Sequence, residues 1–185
     1  EEINSILNYC KNSGEDTEKD IYLELHDLYL LMLNTGLRIG ECLALSWEDI
    51  DFNTSKISIR KTYDEKSKTV GEPKTEASIR IIPLFDKVKE MLLKKNREYE
   101  FIFEVLHKKQ MRDYAKMITT RIGIKFNNHM FRHTFASNCI AKGINPKTVQ
   151  KWLGHTKLDM TMNTYVDVVA KLEESDIDKY NNKDN

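Results

Sequence analysis

Hydrophobic spacing changes period once and then changes back along this chain, and that excursion bounds the fold. Ile3, Ile6, Leu7 and Cys10 recur at helical spacing before "NSGEDTE" breaks the pattern. A longer apolar helix is predicted from Asp20 to Asn34, with Ile21, Leu25, Leu28, Tyr29 and Met32 inward and Gly36 as its C-terminal cap. "LRIGECLAL" continues as a short helix. From Lys56 the period drops to two: Ile57 and Ile59 alternate with Ser58 and Arg60, and a second extended run carries Ile79, Ile81 and Leu84 before Pro83 and Asp86 stop it. A polar connection with Gly71 and Pro73 joins the runs, which predicts a small antiparallel sheet of two or three strands. Helical spacing returns over Lys87 to Glu98, Lys108 to Arg121, His129 to Lys142 and Pro146 to Leu153, and in segments around Tyr165 and beyond. The expected class is α+β, mainly helical, with one small antiparallel β-sheet insert.

A chain of 185 residues buries one sizeable core. No apolar run approaches the roughly 18 residues of a membrane span, and Glu1-Glu2-Ile3 is not a signal peptide, so a cytoplasmic protein is expected. The chain starts without Met, inside a predicted helix, as a fragment would. Cys10, Cys42 and Cys139 lack CxxC spacing and read as reduced, packed thiols. Net charge is zero, but its distribution is uneven. Residues 1–55 hold 3 Lys+Arg against 12 Asp+Glu, residues 56–133 hold 19 against 10, and residues 134–185 hold 7 against 7. Such a basic middle block either pairs internally with the acidic lobe or orients a polyanion on it.

Three stretches carry chemistry. In "NNHMFRHTFAS", Asn127 or Asn128 caps a helix whose first turns place His129 and Arg132 on one face. A helix N-terminus favours an anion, and a guanidinium fork matches phosphate oxygens. His133 follows His129 by four residues, but Met130 stands where a metalloprotease helix needs Glu, so no metal centre or other cofactor is expected. In "NTGLRIGE", Arg38 and Glu41 form either a plain intrahelical ion pair or an oriented guanidinium with one edge left for a ligand. Finally, "LGHTKLDMTMNTY" offers His155 and Tyr165. A phenol titrating near pH ~10 attacks phosphorus only where cations neutralise the developing charge and an acid, such as a hairpin lysine, protonates the leaving alkoxide.

In order and spacing, "TGLRIGE", "PKTEASIRIIPL", "HMFRHTFA" and "LGHTKLDMTMNTY" resemble the catalytic domain of tyrosine recombinases, the phage integrase family, most like integrases of temperate phages and conjugative transposons. The resemblance implies the tyrosine recombinase catalytic-domain fold over residues 1–170 and a site-specific recombinase that cleaves and rejoins DNA strands without metal. It further implies that Arg38 and Arg132 clamp the scissile phosphate and that His155 donates a hydrogen bond to a non-bridging oxygen. His129 positions the phosphate or accepts the tyrosine proton, Lys74 protonates the 5′-hydroxyl, with Lys61, Lys66 and Lys68 as competitors, and Glu41 supports the site. Tyr165 forms a 3′-phosphotyrosyl bond. The implied partners are double-stranded DNA recombination sites, other protomers in a tetramer on DNA, and excisionase and DNA-bending proteins.

Two departures from the family pattern matter. The N-terminal core-binding domain is expected to be absent from this chain, which predicts weak, poorly specific DNA binding. Residues 171–185 form a tail, and Val168, Val169, Leu172 and Ile177 make a stripe suited either to exchange between protomers or to folding back. Two alternative readings are a type IB topoisomerase-like strand transferase and a noncatalytic helical DNA-binding accessory module.

Overall fold

A computed structural model describes residues 1–17, 20–73, 75–107 and 111–155. Among them the chain forms α1 (Glu2–Thr17), α2 (Asp20–Thr35), α3 (Ile39–Leu43), β1 (Ile50–Asp51), β2 (Lys56–Ile59), β3 (Thr62–Asp64), β4 (Thr69–Gly71), β5 (Arg80–Pro83), α4 (Asp86–Lys94), α5 (Met111–Ile122), α6 (His129–Ala141) and α7 (Pro146–Leu153). The architecture is mainly helical with small antiparallel sheets, as the periodicity predicts. No helix among the described residues is long and apolar enough to cross a membrane.

The first helix corrects the expected break at "NSGEDTE", because α1 runs on to Thr17. Gly14 is an approach point rather than a terminator: a Cβ there would lie 2.6 Å from Leu23 Cγ. Its missing side chain lets α1 close on α2. In α2, Leu25, Leu28, Leu31 and Met32 are buried, and the Tyr29 ring stacks on Phe131 of α6 with centroids 4.7 Å apart. Full burial of a ring or branched side chain contributes about 1.5–3 kcal/mol, so this seam between α2 and α6 is a principal source of stability. A second cluster joins Phe135, Ala136, Cys139 and Ile140 of α6 to Val149 and Leu153 of α7. Cys10, Cys42 and Cys139 are buried free thiols.

The insert is larger than two or three strands. A three-stranded antiparallel sheet has order β1-β2-β5, and β3 pairs with β4 as a separate hairpin. The phase of β5 also differs from expectation. Ile79 and Ile81 are 55% and 56% exposed, whereas Arg80 and Ile82 face inward opposite Ile59 and Ile57. Helix α4 stops at Lys94, short of the predicted Glu98: Lys95 turns extended (φ −75°, ψ 144°), and its Nζ pairs with Glu24 Oε1 (2.7 Å) and Asp27 Oδ2 (3.1 Å) of α2.

Two glycines fix how the layers meet. Gly40 of α3 sits on β3, where a Cβ would meet Thr62 Oγ1 at 2.7 Å and the Tyr63 carbonyl at 2.8 Å. Gly36 ends α2 in the left-handed region at φ +67°, its N–H bonded to the Met32 carbonyl at 2.9 Å. A Cβ on Gly36 would fall 2.5 Å from Phe135 Cδ1 and 2.7 Å from Leu153 Cδ2. Gly36→Ala is therefore expected to cost about 1–3 kcal/mol, from left-handed strain plus overpacking, and chemical denaturation measures it. A variant as stable as the parent would contradict this packing.

Candidate active site

Arg38 opens α3 from an extended conformation (φ −71°, ψ 151°), so its backbone N–H points along the helix axis and donates to Glu41 Oε2 at 2.8 Å. The same carboxylate accepts the Arg38 guanidinium at Oε1 (2.9 Å). The Arg38 side chain is 35% exposed and Glu41 only 4%, so the pair has a buried base and an open edge. The ion pair expected within "NTGLRIGE" is formed, and one side of its guanidinium is open to solvent.

Glu41 has a further partner that the sequence did not reveal. Arg80, from β5, donates from Nη1 to Oε1 (3.0 Å) and from Nη2 to Oε2 (2.9 Å). Burial opposes the charged carboxylate, but the hydrogen bonds and charge of Arg80, followed by those of Arg38, outweigh it and hold Glu41 below its ordinary value. Arg80 also donates from Nε to the Trp152 carbonyl (2.6 Å) and from Nη1 to the Ser78 carbonyl (2.8 Å). One signal could have exposed it: Arg80 shares its strand parity with Ile82 and Leu84, not with Ile79 and Ile81.

Arg132 lies on α6 and is 5% exposed. It donates to the carbonyls of Gly36 and Leu153, both at 2.6 Å. Gly36 lies two residues before Arg38, and Leu153 two before His155, so one guanidinium ties both neighbouring loops to α6. His129 opens α6, its N–H held by Asn127 Oδ1 at 2.9 Å. Of the two candidate caps, Asn127 therefore supplies the side-chain bond. His155 follows α7, whose C-terminus is closed by Gly154 in the left-handed region (φ +64°) with the His155 N–H bonded to the Gln150 carbonyl at 3.2 Å. This turn carries the imidazole out of the helix toward the arginines.

The titration of both histidines reports the shared field. Burial, then the charges of Arg132, Arg38, Arg80 and His133, push His155 down to about 4. Burial, then Arg132, His133 and Arg38, lowers His129 as well. Arg38 and Arg80 thus share the Glu41 carboxylate, and with Arg132 they make a cationic pocket beside neutral imidazoles. A groove of about 430 Å³ adjoins it at His129, bordered by Arg112, Lys116 and Lys125.

The predicted site residues therefore divide. Arg38, Glu41, His129, Arg132 and His155 come together, whereas Lys74 and Tyr165 lie outside the described residues. Among the competing lysines, Lys61 is engaged by Ser46 Oγ (3.1 Å) and Glu48 Oε1 (3.0 Å), while Lys66 and Lys68 are exposed on the β3–β4 turn.

Low histidine values have a consequence for stability. Unfolded histidine titrates near 6.5, and folded His155 resists protonation until about 4. Its contribution is present above pH ~6.5 and is lost as pH falls toward 4, with His129 acting in the same direction. The His155 Cε1–H resonance should titrate near pH 4 in the free protein, and a midpoint at the ordinary value would contradict the pocket.

The fold is that of solved integrase catalytic domains. A structure of the Tn1549 transposon integrase in complex with a circular intermediate DNA matches with TM-score 0.70 at 23% identity, covering 93% of this chain and 63% of that one. The catalytic domain of bacteriophage HP1 integrase matches with TM-score 0.58 at 24% identity, covering 90% and 84%. The phage integrase family model spans residues 1–171, and the chain belongs to that family. A XerC-like tyrosine recombinase of Caldanaerobacter subterraneus subsp. tengcongensis is 30% identical over 191 residues, which is 85% of this chain and 49% of that protein. The chain spans about half the length of the curated relatives it matches.

Proposed function

We propose that this chain is the catalytic domain of a site-specific DNA recombinase that cuts and rejoins strands through a 3′-phosphotyrosyl intermediate. The observation that carries the reading is the convergence of Arg38, Arg132 and His155 on one cationic pocket within a phage integrase family domain. A phosphodiester has one negative charge and two non-bridging oxygens, and reaching a five-coordinate phosphorus concentrates charge on those oxygens. Arg38, with Glu41 fixing its inner edge, and Arg132, fixed by two carbonyls, neutralise that charge without rearrangement. His155, neutral at pH 7, donates one N–H to a non-bridging oxygen. The Tyr165 oxygen attacks phosphorus and its proton passes to His129. The bond from phosphorus to the 5′-oxygen breaks as Lys74 protonates that oxygen.

The bond energy stays in the phosphotyrosine, so the 5′-hydroxyl of another strand reseals the break by the reverse steps and no nucleotide cofactor is consumed. Partners under this reading are duplex recombination sites and further protomers, forming a tetramer on DNA, with excisionase and DNA-bending proteins assisting. Residues 1–170 act as the catalytic domain and 171–185 as a docking tail. The test is covalent trapping on nicked suicide duplexes cut from the ends of the encoding mobile element. A 3′-linked protein–DNA adduct resistant to denaturant is expected. DNA binding with no adduct on any such duplex would overturn the catalytic reading in favour of a noncatalytic DNA-binding module.

A further inference from the structure

Arg80 is the buried cation for which the proposed chemistry has no direct use, and its surroundings show what it does instead. Its side chain is 3% exposed, yet the isoleucines on either side of it, Ile79 and Ile81, face solvent. The strand's alternation has thus been set so that a guanidinium, rather than Ile79 or Ile81, enters the core. Within the sheet Arg80 is backbone-paired to Ile59, but its fork leaves the sheet. Two nitrogens grip the carboxylate that orients Arg38, and Nε grips the Trp152 carbonyl in the last turn of α7, three residues before His155. Gly154 completes the fit, since a Cβ there would stand 2.8 Å from the Ala77 carbonyl and 3.2 Å from Arg80 Cδ. The three acceptor groups, Glu41, Trp152 and Ser78, come from three separate segments.

We propose that Arg80 is a positioning residue that sets the Arg38 guanidinium and the His155 imidazole at a fixed separation across the scissile phosphate. The inference rests on the recombinase reading given above. A planar fork is required: lysine would keep the charge but offer a point donor unable to hold a carboxylate bidentately and a carbonyl at once. The charge of Arg80 also contributes to the low titration of His155, so the link between the two is electrostatic as well as geometric.

Arg80→Lys separates this role from simple packing. Single-turnover adduct formation on the nicked suicide duplex is expected to slow at least about 100-fold while DNA affinity changes less than about threefold. A folded Arg80→Lys protein that cleaves at the parental rate would overturn the proposal. Failure of the parent protein itself to form an adduct would instead count against the recombinase reading. Should Arg80→Lys not fold, the parent protein decides the matter. The Arg80 Nε–H is expected to exchange with water far more slowly than that of the exposed Arg121, and equal exchange rates would show that the fork is not held in solution.

Discussion

Tyr165→Phe is expected to bind DNA as the parent does and to form no covalent adduct, the largest effect any single substitution should have. Removing one oxygen removes the only atom that forms the new bond to phosphorus, and no neighbouring charge substitutes for it. The structure weakens the claims of other tyrosines. Tyr29 is fully buried against Phe131, with burial first and then Cys10 raising its phenol far above the ordinary value. Tyr63 is buried in the hairpin and donates its hydroxyl to the His107 carbonyl. Tyr22 is edge-on to Tyr9 and points its hydroxyl at Met117 Sδ (3.6 Å). Denaturing electrophoresis of trapped reactions provides the check, and an adduct that persists in Tyr165→Phe would remove this residue from the mechanism.

Arg132→Ala ranks second. Loss of one preorganised donor to a transition-state oxyanion commonly slows reaction by roughly 10²–10³-fold, and Arg38→Ala should fall in the same range. The two should differ in stability. Arg38 is partly exposed and paired chiefly with Glu41, whereas Arg132 is buried and bonded to the Gly36 and Leu153 carbonyls. Stranding buried acceptors costs about 1–3 kcal/mol each, so Arg132→Ala should also lower the melting temperature measurably. A parental single-turnover rate in either variant would reduce that arginine to a structural role.

The reasons some features are legible in the sequence, and others not, lie in the range of the forces involved. Helix α7 occupies its predicted bounds because its signals are local: Asn145 accepts the Lys147 N–H, Pro146 needs no partner for its nitrogen, and Gly154 adopts the left-handed cap. The pairing of Arg38 with Glu41 is equally local, three residues apart on one short helix. Gly14, by contrast, resembles a breaker until Leu23 is seen against it, and Ile79 and Ile81 resemble core until Glu41, 39 residues upstream of Arg80, turns the strand over. Long-range ion pairing reversed a short-range hydrophobic pattern there. The convergence of Arg38, Arg132 and His155 was legible only through family resemblance, because no spacing rule connects residues 38, 132 and 155.

An oxyanion of phosphate size, offered to the protein alone, addresses the account at its root. In crystals soaked with sodium tungstate, anomalous diffraction should locate a tungstate ion bridging the Arg38 and Arg132 guanidiniums with an oxygen at the His155 ring. Tungstate bound only elsewhere, with these three side chains left in contact with no anion, would contradict the phosphate pocket and the chemistry built on it.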